Sequence, residues 1–367
     1  MKFLFQDGHG HLEEKSNNFT AMRILFALFV LYGHALMIPL GLPFEGAWAV
    51  SVDFIVQCAL DGFFILSGYM ITASAMKSRD LGRYANARFF RIFPGLIATA
   101  LVLWLVVSPL FTTLPMTEYW ASSQTWLFPL KLISQIDPMA GLPGVFDASP
   151  MGENMNGPLW TIRYELMAYL GVGVLMLFGL YRQNAHVLVW TALTLVFGML
   201  VETFGYRGIG EETIGTLARF VPAFMVGAAF HAGRRYLRLT PVFAGLTILA
   251  AIATQHLPIG WMMLDIALAA SYLLIGYARI PGRIGEQVRN VEDVSYGIYI
   301  LHWPLGMMAF SLMPGLTTTE LAMIMFPLAV ITGWGLRVLV EKPAMALRAR
   351  MSGRQPAATL ATPAQAG

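Results

Sequence analysis

Arg23 and His34 are ionisable side chains inside the apolar run RILFALFVLYGHALM, residues 23–37, where lipid or apolar protein is expected on every side. Eleven residues apart, they return to within roughly 20° of one helix face, about 16 Å apart along the axis. Both therefore look along a single groove. A neutral imidazole at depth can take the proton of a poor nucleophile such as a hydroxyl, and a guanidinium at the mouth can hold an anion. Arg23 also suits snorkelling to headgroups and His34 a helix–helix hydrogen bond, but ionisable residues at membrane depth are functional candidates by default.

Two carboxylates are expected near the level of His34. Asp61, in DGFFILSGYMI, counts about 24 Å back from Lys77, and Glu165, in NGPLWTIRYELMAYL, about 22 Å from Leu180. Either can pair with an imidazole N–H, fix the tautomer and stabilise the imidazolium. Ser67 and Tyr69 follow Asp61 within two turns, although SGY equally suits close packing by small residues. Asn156 is placed to cap the helix carrying Glu165, whereas Arg163, two residues before it, faces elsewhere. The stretch SYGIYILHWPL adds Ser295, Tyr296, Tyr299, His302 and Pro304. His302, about 12 Å in from Val294, is expected shallower than His34, either lining the same cavity lower down or bonded to a carbonyl freed by Pro304. Arg88 and Arg91, three apart in KSRDLGRYANARFFRIFP, share one face of a short helix, a clamp for phosphates or for anionic headgroups.

These side chains are carried by an unusually apolar chain. Of 367 residues, 57% are hydrophobic and 12% charged, with a mean hydropathy of +0.62. A soluble domain of that size needs more charge to cover its surface. The fold class is therefore all-α and polytopic, with helices expected at about 21–40, 52–76, 93–112, 158–180, 186–204, 214–231, 241–257, 261–278, 294–313 and 319–340. These give about ten spans in one bundle, with a cytoplasmic tail at 1–20, the membrane domain at 21–345 and a cytoplasmic, disordered tail at 346–367 that is low-complexity after Arg354. The joints after the second, fourth, sixth and eighth spans carry Lys77, Arg79, Arg83, Arg182, Arg234, Arg235, Arg238, Arg279, Arg283 and Arg289, whereas the alternate joints are mainly acidic. By the positive-inside rule both termini are cytoplasmic. The same bias accounts for the formal net charge of +3.

Residues 113–157 form a long outer loop rich in Pro, Gly, Met and Trp, a length typical of functional or disordered loops. The N-terminal segment lacks a signal-peptide cleavage pattern. The single Cys58 excludes an intramolecular disulfide. His9, His11, Glu13 and Glu14 are metal-binding residue types, but a short tail rarely preorganises a site and no metal is expected. There is no internal repeat, P-loop or dinucleotide fingerprint, and no nucleic-acid partner is expected.

Together, RILFALFVLYGH, DGFFILSGYMI, RFFRIFP, NGPLWTIRYELMAYL and SYGIYILHWP, in this order and spacing, resemble the acyltransferase-3 family of bacterial integral-membrane acyltransferases. The resemblance implies transfer of an acyl group, usually acetyl, from cytoplasmic acyl-CoA to a hydroxyl of a surface or exported polysaccharide or lipid-linked saccharide. It implies a catalytic role for His34 and an acyl-CoA end at Arg23, Arg88 and Arg91. Many relatives carry an extra C-terminal hydrolase-like domain; this chain resembles the stand-alone form. Beside it, the residues assign Asp61 or Glu165 to orient His34, Ser67 and Tyr69 to the donor, and Trp160, Tyr299 and His302 to the acceptor. Tyr69, Trp160 and backbone N–H groups all remain oxyanion-donor candidates, and acylation of His34 itself is an alternative to direct transfer. The expected setting is the bacterial inner membrane, with lipid around the chain, acyl-CoA as a substrate rather than a bound cofactor, and the oligomeric state left open. The competing class is a transporter or flippase using the same buried polar groups as a mid-membrane path, which the absence of repeat halves disfavours.

Overall fold

The computed structural model describes residues 17–41, 46–78, 80–147, 149–208, 210–278 and 280–351. His9, His11, Glu13 and Glu14 lie outside the described residues, as does the tail from residue 352. In chain order the helices are α1 (Phe19–Leu40), α2 (Ala47–Ser78), α3 (Leu81–Phe111), α4 (Met116–Ala121), α5 (Ser123–Ser134), α6 (Trp160–Leu177), α7 (Asn184–Phe204), α8 (Glu211–Gly233), α9 (Pro241–Thr254), α10 (Gly260–Gly276), α11 (Gly282–Arg289), α12 (Ser295–Leu312) and α13 (Thr318–Met351). Among the described residues the extended pairing consists of two isolated bridges, Thr112 with Val145 and Gly141 with Asn154.

Each apolar stretch read from the sequence coincides with a helix. Six of them, α1, α2, α3, α7, α8 and α13, are long and apolar enough to cross a membrane. The chain is thus a multi-pass membrane protein. α9 and α10 are apolar but shorter, at 14 and 17 residues, and α6 and α12 interrupt their apolar runs with the polar groups discussed below. The outward faces of α3 and α7 expose Leu105, Val106, Leu110, Leu188, Val189 and Leu193, a surface suited to lipid rather than water.

Three departures from the sequence reading matter for the site. α3 starts at Leu81 instead of residue 93, because the Asp80 side chain caps it by accepting from the Arg83 N–H at 2.9 Å. Arg88 and Arg91 consequently ride on one continuous helix that enters the bundle. The long loop is ordered around α4 and α5, and Arg163 explains part of that order: its guanidinium donates to the carbonyls of Gln135 and Ile136 at 2.8 and 2.7 Å, closing the C-terminal end of α5. α13 runs on to Met351, so residues 346–351 are helical where disorder is expected.

The core is built where α1 packs between α2 and α12, with α13 behind it and α8 against α2. The α2–α8 crossing is set by glycine. A Cβ on Gly68 would lie 1.8 Å from the Phe224 carbonyl oxygen, and one on Gly227 would lie 1.9 Å from that of Ile65. Only a missing side chain lets the two backbones come so close, which is the packing role expected for the SGY stretch.

Candidate active site

Two cavities meet in the middle of the bundle. The larger, about 410 Å³, is lined by Arg23, Arg88, Arg91, Arg337 and Arg348 together with Ser67, Glu165 and Asp293. The smaller, about 100 Å³, is lined by His34, Asp53, Gln57 and Trp160. Leu60, Thr161 and Tyr299 line both and form the partition between them. The Tyr299 and Thr161 hydroxyls are 2.7 Å apart across it.

The basic cavity is organised by Asp293, in the joint before α12. Its carboxylate accepts from Arg23 at 2.8 Å and from Arg91 at 3.0 Å, while Oδ1 takes the Ser295 hydroxyl at 2.6 Å. Burial pushes a carboxyl up, but the Arg91 and Arg23 charges and the Ser295 hydrogen bond outweigh it and hold Asp293 well below the usual carboxylate range. Aromatic faces support the cations: Arg88 sits over Tyr169 at 5.6 Å and Arg91 over Tyr296 at 5.8 Å from the ring centres. Arg91 also lies 3.6 Å from Glu341, which pairs with Arg337 at 3.1 Å where α13 widens into a π turn. The result is several guanidiniums held in place at one end of a groove, a fit for a polyanionic group.

His34 is three turns further along α1. Its Nδ1 is 2.7 Å from His302 Nε2, and His302 Nδ1 is 3.0 Å from the Ile298 carbonyl. A carbonyl only accepts, so a neutral His302 carries its proton on Nδ1 and presents a bare Nε2. His34 must then donate from Nδ1, which leaves its Nε2 lone pair as the basic atom. The rings stack at 5.0 Å with Trp303 edge-on to His34, fixing the imidazole plane.

Neither carboxylate expected beside His34 is there. Asp61 is engaged by Arg219 of α8, whose Nη2 reaches both carboxylate oxygens at 2.9 and 3.1 Å. Glu165 lines the basic cavity, accepting from Ser67 at 3.3 Å and from the Tyr169 hydroxyl. His302 is level with His34 instead of shallower. The physical reason is that Asp293 is drawn into the bundle by Arg23, so α12 starts from a recessed end. The carbonyl freed by Pro304 is that of Ile300, and Asn156 Nδ2 takes it at 2.8 Å in place of capping α6. Tyr69, expected at the donor, does not line the basic cavity: its hydroxyl accepts from Tyr277 at 2.9 Å and its ring packs on Phe19 and His231. Ser67, Arg23, Arg88 and Arg91 do line the basic cavity, Trp160 lines the smaller one, and Tyr299 faces both.

Asp293 and Arg219 were missed, though each left a signal. Arg219 is a charge inside a predicted span, which demands a partner such as Asp61. Asp293 follows Glu292 in a short joint and reads as a helix end, yet Arg23 and Arg91 both need a counter-ion.

A membrane-embedded helical bundle with a basic groove leading toward a cavity-lining imidazole fits a group-transfer enzyme better than a conduit. The chain belongs to the acyltransferase-3 family: the family's model, described as an acyltransferase domain, matches residues 16–338. It is therefore an acyltransferase, and the transporter alternative falls away. Among curated proteins the chain is similar to nodulation protein 10 of Rhizobium leguminosarum bv. viciae, 25% identical over 94% of this chain and 97% of that one. It is also similar to the O-acetyl transferase of Shigella phage Sf6, 24% identical over 79% of this chain and 85% of the relative. No solved structure matches.

Proposed function

We propose that this acyltransferase moves an acyl group, acetyl by preference, from cytoplasmic acyl-CoA to a hydroxyl of a surface polysaccharide or lipid-linked saccharide. In this reading about ten of the helices span the bacterial inner membrane, with both termini inside. The observation that carries the reading is the pair of cavities meeting at Leu60, Thr161 and Tyr299, with fixed guanidiniums in one and His34 in the other. The O-acetyl transferase relative supports an acetyl donor and a hydroxyl acceptor.

In this reading Arg88, Arg91, Arg23 and their neighbours hold the CoA phosphates, and the pantetheine arm runs along the groove toward the partition. The acceptor hydroxyl approaches His34 from the smaller cavity. His34 Nε2 takes its proton as the oxygen attacks the thioester carbonyl, an assistance worth roughly 10²–10⁴ in rate. The C–S bond breaks, the CoA thiolate takes that proton from the imidazolium, and the new C–O ester leaves with the saccharide. His302 accepts the Nδ1 proton throughout and keeps the ring aligned, the part first assigned to Asp61 or Glu165. An acyl-His34 intermediate uses the same lone pair, and acceptor-free enzyme incubated with labelled acetyl-CoA would accumulate it.

The test is the acyl content of surface and exported glycans, by mass spectrometry, in a host lacking the gene and complemented with wild type or His34→Ala at matched membrane levels. Restoration by wild type alone is the expected result. Equal restoration by both makes His34 structural, and no change in any glycan pool removes the saccharide acceptor.

A further inference from the structure

Gln57 is the only amide in the smaller cavity among the described residues, and its orientation is dictated from behind. Arg219 Nη1 lies 2.5 Å from Gln57 Oε1 and its Nη2 reaches the Gln57 backbone carbonyl at 3.3 Å. A guanidinium can only donate, so Oε1 must face it. The amide nitrogen is thereby turned the other way, where Nε2 donates to Asp53 Oδ1 at 2.9 Å. Asp61 holds Arg219 through Oδ1, at 3.1 Å from Nε and 2.9 Å from Nη2. The ion pair of buried Asp61 with half-buried Arg219 thus sets a carboxylate and an amide, one helical turn apart on α2, in the wall of the cavity that holds His34.

That wall has the chemistry of a sugar site. A carboxylate accepts from a hydroxyl, an amide N–H donates to its neighbour, and the Trp160 indole offers an apolar face for ring C–H groups. At about 100 Å³ the space admits the hydroxyl-bearing edge of one sugar ring and excludes a nucleotide. Among the described residues no arginine lines it, so the phosphates of the donor find their partners in the other cavity.

We infer that Asp53 and Gln57 form the acceptor subsite, binding adjacent hydroxyls of one sugar unit and presenting one of them to His34, with Arg219 as the positioning residue that fixes Gln57. This rests on the saccharide O-acyltransferase reading above. It gives the Asp61–Arg219 pair a role in acceptor recognition, one step removed from the reacting atoms.

The test uses the purified full chain in lipid nanodiscs with radiolabelled acetyl-CoA. The acceptor probe is the saccharide fraction extracted from a host lacking the gene. Asp53→Asn, Gln57→Met and Arg219→Lys are each expected to raise the KM for the saccharide by about tenfold or more, the scale of a lost hydrogen bond to a charged group, with the KM for acetyl-CoA unchanged. Arg219→Lys keeps the charge opposite Asp61 but cannot bridge to Gln57. An unchanged saccharide KM in Asp53→Asn and Gln57→Met, or a rise confined to acetyl-CoA, overturns the assignment while leaving the enzyme reading intact. If wild type transfers no label to the saccharide fraction, that reading fails and the subsite falls with it.

Discussion

His34 Nδ1 sits 2.7 Å from His302 Nε2, two imidazoles from different helices sharing one hydrogen bond at the heart of the bundle. Because the Ile298 carbonyl fixes the His302 tautomer, the proposed mechanism makes His34 the base and His302 its orienting group. His302→Phe removes the acceptor and frees the His34 ring; His302→Gln keeps a carbonyl oxygen that can accept the Nδ1 proton. Steady-state kinetics should show kcat falling by about 10–10² in His302→Phe, less than the 10²–10⁴ of His34→Ala, with partial recovery in His302→Gln. Equal activity in both His302 variants would mean that the neighbour only fills space.

Asp293 ties Arg23 to Arg91, and the sign of its pH effect follows from its depressed carboxyl. The unfolded carboxyl titrates near 3.9, so the stability it contributes is complete above about pH 4 and drains away as pH falls from there toward the lower folded value. Thermal unfolding of the solubilised protein should therefore show an acid limb below about pH 4. Asp293→Asn should flatten this limb while destabilising the neutral protein by about 3–5 kcal/mol, since two partly buried guanidiniums lose their counter-ion. An acid limb unaltered in the variant would assign it to other carboxylates.

What the sequence made legible is what one helix determines alone. Arg23 and His34 share a groove because helical periodicity fixes them, and the apolar runs that become α1, α2, α7 and α8 announce themselves by length. Pairing across helices was not legible, because counting depth from each helix end assumes flush ends. Asp293 is at the level of Arg23, so His302 lies about 13 Å from that level and His34 about 16 Å, close enough to touch. The same counting put Asp61 level with His34 without saying which way it faced. Arg219, half-buried on a helix far away in sequence, decided that.

Gly68 and Gly227 face the partner backbone at the α2–α8 crossing. Gly68→Ala or Gly227→Ala would force the helices apart, since the obstructing atoms are backbone carbonyls and cannot rotate away. The expected loss is about 1–3 kcal/mol for either, in the range of an overpacked core. Because Ser67 lines the basic cavity next to Gly68, the proposed donor site, the Gly68 variant should also raise the KM for acetyl-CoA. A Tm matching wild type in both variants would show that the crossing yields more easily than its geometry implies.

Asp61 and Arg219 provide a test that separates stability from catalysis. Asp61→Ala leaves a half-buried arginine charge without its partner and should cost about 1–3 kcal/mol, less than a fully buried pair would, whereas Asp61→Leu combined with Arg219→Met removes both charges and should recover most of that. If Asp61 oriented His34, the double variant would lose the group that aligns the base and kcat would fall with no regard to substrate concentration. In the structure Asp61 reaches the site only through Arg219 and Gln57. The double variant should consequently fold with near-normal Tm, keep its affinity for acetyl-CoA, and approach wild-type kcat only at high saccharide concentration. A kcat that stays low at saturating acceptor would return Asp61 to the reacting centre.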